Sequence, residues 1–306
     1  MSAAAAVGLV LARPPRLLGA EPFFMEFIAG IEEHLAEHGQ SVLLHVVPTH
    51  DAEIAAYRRW AANRSVDAVV LVNRTVDDGR PAVLRALGLP AVVAGEPEGD
   101  APAVRTDDAG AVRDAVAHLS GLGHRRIARV SGPDTLIHTR IRTEALVDSM
   151  RSAGVEPVVV EGDYSEESGA KLTAMLLERP DPPTAIIYDN DLMAVASLDT
   201  VRELGYDVPR DLSLIAWDDS SLCRLASPPL TTMSLDVHRF GQLVAESLLE
   251  LMAGEPVAER RCPTATLVHR GTTAPASGPN VKAIAPKFED IRGRGRGGPT
   301  GPATRR

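Results

Sequence analysis

Apolar residues along the chain fall into two kinds of run that alternate. Short continuous runs of strand length occur at 7–11 (VGLVL), 41–47 (SVLLHVV), 67–72 (DAVVLV) and 90–95 (PAVVAG). They lack polar alternation, as expected of strands covered on both faces. Between them apolar positions recur at helical spacing. Phe23, Phe24, Phe27, Ile28, Ile31 and Leu35 follow Pro22, and Gly39 stands where a helix stop belongs. Further helices are predicted over 51–63 and 78–87, and Asp107 or Asp108 can cap one running to Leu122.

The alternation then repeats. Strands are predicted at 126–131, 155–162, 184–188 and 212–217, with helices over 139–153, 165–177 and 191–204. Two successive series of strand–helix units predict an α/β fold of two doubly wound parallel-sheet lobes. Right-handed crossovers are expected throughout. A short strand at 231–235, an amphipathic helix at 237–253 and a strand at 265–270 complete the folded part. From Ser277 the hydrophobic period is lost and Gly, Pro and Arg dominate, so 277–306 reads as a disordered tail.

Composition narrows the function classes. A chain of 306 residues suffices for two ordinary domains. No apolar window of about 18 residues occurs, so no membrane span is predicted. The start reads as a first buried strand and not as a secretory signal. Two cysteines, Cys223 and Cys262, without paired spacing fit a reducing cytoplasm. The net charge is −9; the stretch from Lys282 carries seven Lys/Arg against two acids, which leaves about −14 on the rest. A body of that sign is not built to hold DNA unaided, because phosphate neutralisation supplies most non-specific affinity.

Enzyme signatures are weak. His34, Glu37 and His38 match H-x-x-E-H, a zinc-hydrolase pattern. They lie off the apolar stripe of their helix, so a solvated face is the simpler reading and no metal site is expected. Cys223 has no evident His partner. No cofactor motif occurs.

The stretch from Pro209 to Asp236 is more informative. A buried strand ends in Trp217, Asp218 and Asp219, which places acids at the carboxyl edge of a parallel sheet, where open α/β sheets bind ligands. Asp218 can accept two hydroxyl hydrogens there, or serve as a turn carboxylate. Arg142 can donate a fork of N–H groups to adjacent ring oxygens; Arg140, two positions earlier, points nearly opposite on a helix. Asn190 offers donor and acceptor at a strand–helix junction, or caps the helix. Phe23, Phe24, Tyr164 and Trp217 can stack on a ring, although Phe23 or Phe24 can equally be core.

Four segments resemble the LacI/GalR family of regulators in order and spacing: EPFFMEFIAGIE (21–32), AVAHLSGLGHRRIARVSGP (115–133), EGDYSEESGAKL (161–172) and the stretch 189–236. The resemblance implies a periplasmic-binding-protein-like core of type I, its lobes joined by three crossovers near 125, 235 and 256. Residues 1–125 with 237–255 would form the amino lobe, and 126–236 with 256–276 the carboxy lobe. It also implies a homodimer that binds a small effector, usually a sugar, between the lobes. By matching position Phe23 and Phe24 would line the amino-lobe wall. Arg142, Tyr164, Asn190 and Asp218 would contact effector from the other lobe, and Leu235 would touch it at a crossover.

Departures from the family pattern matter too. The family begins with about 60 residues of helix-turn-helix and hinge helix that read DNA. Here the first sheet strand starts at Val7, so that module is expected to be missing from this chain and operator DNA to be reached only through it. The loop before Pro22 is longer than usual and carries Arg13 and Arg16, and His138 and Leu235 stand where polar ligand contacts are common. The leading expectation is the effector-sensing core of a regulator and not an enzyme. The alternatives are a solute-binding protein of a sugar importer and, behind it, a hydrolase using His34 and His38.

Overall fold

The continuous apolar runs become strands and the helical stripes cover them on both faces. A computed structural model describes residues 6–13 and 22–277. In chain order the first elements are β1 (Ala6–Ala12), α1 (Pro22–Ala36), β2 (Ser41–Val47), α2 (His50–Asn63), β3 (Ala68–Leu71), α3 (Arg80–Ala86), β4 (Ala91–Ala94) and β5 (Ala103–Arg105). Next come α4 (Asp108–Gly121), β6 (Ile127–Ser131), α5 (Ile137–Ser152), β7 (Val158–Glu161), α6 (Glu166–Leu177), β8 (Ala185–Tyr188), α7 (Asp191–Glu203), β9 (Ser213–Trp217), α8 (Ser221–Leu225) and β10 (Thr231–Ser234). The described chain ends with α9 (Val237–Ala253), β11 (Arg260–Arg261) and β12 (Thr266–Val268).

Two six-stranded sheets result, in the orders β11-β5-β4-β3-β1-β2 and β12-β10-β9-β8-β6-β7. All neighbours are parallel except β10 and β12. The α/β class and the two doubly wound sheets are as the pattern predicts. Alternation along each strand divides the core in two. In the first sheet Val7, Leu9 and Leu11 of β1 pack under α1 and α9, whereas Val10 faces α2 and α3. In the second, Ala128 and Val130 face α6 and α7, and Ile127 faces α4 and α5. Each fully buried Leu, Ile or Phe in these layers contributes about 1.5–3 kcal/mol.

Helices α1 and α9 meet backbone to backbone. A Cβ on Gly30 would lie 2.1 Å from the His238 carbonyl oxygen, and one on Gly241 2.3 Å from that of Phe27. Any larger residue would push α1 outward and carry Phe23 and Phe24, on its first turn, with it.

The lobe boundaries differ from the expected ones. Helix α4, placed in the amino lobe by a boundary at 125, belongs to the second core. Its stripe of Ala111, Val112, Ala115, Val116 and Leu119 is buried with Ile127, Leu146 and Met150. β11, placed in the carboxy lobe, pairs with β5 in the first sheet. The chain therefore passes between sheets at 106–107, 235–236 and 262–265. Strands β5 and β11 and the short helix α8 had no sequence signal of their own, being two to five residues long. The expected disordered tail lies outside the described residues, apart from Ser277.

Candidate functional site

Parallel pairing in register, such as Leu9↔Val70 and Val70↔Val92, aligns strand ends so that both sheets present their carboxyl edges to one inter-lobe cleft. A cavity of about 130 Å³ lies there, lined from both lobes. All eight residues expected to bind ligand lie on its wall: Phe23, Phe24, Arg142, Tyr164, Asn190, Trp217, Asp218 and Leu235.

The first lobe supplies an aromatic shelf. Phe23 stands edge-on to Phe24, with centroids 5.3 Å apart, and stacks on Phe27 at 6.1 Å. Phe24 and Phe27 are buried in the core, and Phe23 is half-buried at the cleft. Thus the pair divides its work between core and cleft. The Arg13 guanidinium lies 4.7 Å from the Phe24 ring centre and 5.7 Å from that of Tyr164, so one cation touches both walls.

The second lobe supplies the polar wall. Arg142 Nε donates to Asp108 Oδ1 at 2.6 Å, and its guanidinium carbon lies over the Trp217 ring, 4.3 Å from the ring centre. Burial works against the Asp108 charge, yet Arg142 holds its carboxyl below the usual range. Burial opposes the Arg142 charge as well, and Asp108 and Asp189 more than offset it. Asp218 follows β9 at a φ of 64°, a left-handed turn at the strand end that lies on the cavity wall. Its neighbour Asp219 is tied to Arg270, whose Nη2 donates at 2.8 Å, and takes no part in the cavity. Leu235, at the crossover, packs against both cores.

Asn190 takes the role of helix cap. Its Oδ1 accepts from Met193 N at 2.9 Å, and its Nδ2 donates to the Tyr164 carbonyl at 3.0 Å. One N–H and one lone pair remain for anything in the cleft. Tyr164 itself sits at a φ of 69°, its ring so close over Gly132 that a Cβ there would lie 2.1 Å from it. The Tyr164 hydroxyl and His138 Nε2 lie 2.9 Å apart. Burial, followed by the Arg142 charge, lowers the His138 imidazole to about 4, and burial pushes the Tyr164 phenol up to about 12. Both are neutral near pH 7, so the pair can present either a donor or an acceptor.

Sequence reading missed several cavity residues. Asp108 was read only as a cap, because its partner Arg142 is 34 residues away. Asn73, Arg74 and Glu96 line the first-lobe wall without any motif. Asp191 is buried at the wall, and its Oδ2 has no hydrogen-bond partner among the described residues. Asp189 also reaches the wall, but its carboxylate is committed to Arg129 at 2.7 and 2.6 Å. The His34 and His38 rings lie 5.7 Å apart on α1 and beyond it, and no group of three His, Cys, Asp or Glu among the described residues is placed to hold a metal ion. Cys223 is buried, and burial pushes its thiol well up, away from nucleophile chemistry. No described helix is long and apolar enough to cross a membrane.

Comparison with known proteins accords with this geometry. Residues 116–273 match the periplasmic binding protein-like domain. The HTH-type transcriptional repressor CytR of Escherichia coli is 33% identical over 260 residues, covering 83% of this chain and 76% of its own. The HTH-type transcriptional regulator CelR of Thermobifida fusca is 30% identical, covering 81% of this chain and 75% of its own. Among solved structures, a LacI family transcriptional regulator from Bifidobacterium animalis superposes with a TM-score of 0.82 at 34% identity, covering 89% of this chain and 98% of the other. A CelR–cellobiose complex does so with a TM-score of 0.80 at 30% identity, covering 87% and 84%. The chain belongs to the LacI family of transcriptional regulators, whose periplasmic-binding-protein-like core it folds into.

Proposed function

We propose that this chain is the ligand-sensing and dimerising core of a LacI-type regulator, and that its cleft binds a small, neutral, polyhydroxylated effector such as a sugar. The observation that carries the reading is the meeting of Asp218 and Arg142 with Trp217 and the Phe23 shelf on one inter-lobe cavity. A sugar ring offers apolar faces to the aromatic side chains and hydroxyls to the acid and the guanidinium. The cellobiose in the CelR complex supports the same class. DNA recognition falls to a helix-turn-helix module separate from this acidic body, and the homodimer follows the dimeric Lac repressor, which superposes with a TM-score of 0.79 at 26% identity. Closure on effector then works by differential affinity for closed and open states.

The test is calorimetry against cellobiose, maltose and a panel of neutral mono- and disaccharides. One or more should bind. Asp218→Ala and Arg142→Ala should each weaken that binding by about 1.5–3 kcal/mol, the range for hydrogen bonds to charged groups. Binding unchanged in both variants overturns the site; no binding across the panel overturns the ligand class.

A further inference from the structure

Beside the aromatic walls, backbone hydrogen bonds also link the two lobes. The loop after β3 meets the segment that leads from β6 into α5. Thr75 and Leu136 pair as an isolated antiparallel bridge. Beside it Val76 N donates to Thr135 O at 2.9 Å, and Ile137 N donates to Arg74 O at 2.9 Å. These bonds cross from one sheet's connections to the other's, so moving the lobes apart at this edge would break them.

Each half of the bridge is anchored in its own lobe. Arg80 Nη2 donates to the Asn73 carbonyl at 2.9 Å and to Asp78 Oδ2 at 2.7 Å, and Nη1 reaches Glu53 Oε1 at 2.9 Å. Glu53 and Arg80 are buried, so the loop hangs from a fixed ion cluster. Asn73 and Asp77 hold left-handed φ values of 49° and 56°, a conformation that Asn and Asp accept more readily than other non-glycine residues, so the loop turns sharply here. Opposite, Asp134 N donates to Glu161 Oε1 at 3.0 Å, and Arg140 Nε to the Asp134 carbonyl at 2.7 Å. The bridge also borders the ligand cavity, whose wall includes Arg74 on one side and Ile137 and His138 on the other.

We infer that Arg74–Val76 and Thr135–Ile137 form a clasp that sets how often the cleft is closed, independently of what the cleft binds. Two rigid halves joined by paired N–H and C=O groups form a two-state element: the bridge is made or broken, with no stable middle. An effector touching Arg74, Ile137 or His138 would then favour a closure that the clasp already supports. The inference concerns the protein without ligand, so it stands or falls separately from the sugar reading.

Proline tests it cleanly. Ile137 is the first residue of α5, where proline is favoured and its missing N–H costs the helix nothing. Leu136 before it has φ −82° and ψ 134°, which proline accepts in its predecessor. Ile137→Pro therefore deletes one clasp donor, and Ile137→Ala trims the same side chain while keeping it. Amide hydrogen exchange on the ligand-free protein reads the other donor, Val76 N–H. Wild type and Ile137→Ala should protect it. Ile137→Pro should speed its exchange about fivefold over Ile137→Ala, the factor of one net backbone hydrogen bond. The radius of gyration in solution scattering should rise with it. Equal Val76 exchange in the two variants, or an unprotected Val76 in wild type, overturns the clasp. Should Ile137→Pro not fold, Val76→Pro at its half-exposed position removes the second donor, and the Ile137 amide becomes the probe under the same two outcomes.

Discussion

Arg129 with Asp189 and Arg142 with Asp108 bring a guanidinium and a carboxylate to the same separation, 2.6 Å, in two regions of the second lobe. The first pair lies inside the lobe with both side chains fully buried; the second is on the cleft wall, 13% and 7% exposed. The chemistry is alike, but the capacity left over is not. Arg129 spends Nε and Nη2 on Asp189 and Nη1 on Thr143 Oγ1 at 2.7 Å, and Asp189 also accepts from Gly132 N at 3.0 Å. Arg142 makes one hydrogen bond among the described residues and sets its guanidinium over the Trp217 ring. A closed set of bonds ties β6 to the end of β8 and to α5. An open set leaves donor capacity on the wall of a cavity, a surplus that a recognition residue needs and a structural one does not.

The comparison breaks first at Arg129. Arg129→Met leaves Asp189 charged, buried and without its main partner, and should cost about 3–5 kcal/mol in urea unfolding at pH 7. Adding Asp189→Leu should recover much of that, because an apolar pair of similar volume often replaces a buried ion pair without loss. Burial works against the Asp189 charge, but Arg129 holds its carboxyl below the usual range. The stability it contributes is therefore complete above the ordinary carboxylate value and is lost as pH falls through the lowered native one. A loss under about 1 kcal/mol for Arg129→Met would erase the distinction between the two pairs.

Arg142→Lys sharpens it. Lysine keeps the charge beside Asp108 but loses the planar fork that lies over Trp217. Urea stability should change by less than about 1 kcal/mol, whereas affinity for the sugar found by calorimetry should fall by about 1.5–3 kcal/mol, tenfold or more. The reverse pattern would make Arg142 a second Arg129.

His138 comes next. Its imidazole is lowered from the ordinary 6.5 to about 4, so the unfolded chain binds its proton first as pH falls. Stability is fully present above pH 6.5 and declines toward pH 4, by roughly 1–2 kcal/mol for a group on the cleft wall. His138→Phe should flatten that part of the stability curve relative to wild type, measured by urea unfolding at pH 7, 5.5 and 4.5. Identical slopes would mean that His138 titrates as it does in water.

Which parts of this were legible in the sequence follows from range. The VGLVL run and the AVVLV that follows Asp67 betray buried parallel strands because every residue in them is apolar, and Trp217-Asp218 betrays a strand end because its chemistry changes within two residues. Asn190 was readable as a cap or a ligand contact, and both readings used local information; the structure adds the bond to Tyr164 that local information could not. Asp108 was opaque for the same reason. Its meaning depends on α4 packing beside α5, and the loop Leu122–Arg126 looked more like a border than the tight turn it is. Arg129 sits in a strand read at 126–131, and only the residue that follows the neighbouring strand β8, Asp189, explains how a buried guanidinium is tolerated there. The clasp has no side-chain signature at all, since its bonds are made by backbone.

A third pair of the same length completes the scale. Arg202 Nη1 and Asp199 Oδ1 also lie 2.6 Å apart, one turn along α7, but their side chains are 65% and 80% exposed. In water the attraction is small, is screened by salt, and is offset by the entropy of holding two long side chains still. Asp199→Ala should therefore change urea stability by less than about 0.5 kcal/mol, and alanine's better helix propensity works in the opposite direction. The three variants Arg129→Met, Arg142→Lys and Asp199→Ala then compare one contact distance in an interior, on a cleft wall and on a surface. If distance set the energy their stabilities would shift alike. If burial and leftover hydrogen-bonding capacity set it, the interior variant loses stability, the cleft variant loses ligand affinity, and the surface variant loses neither.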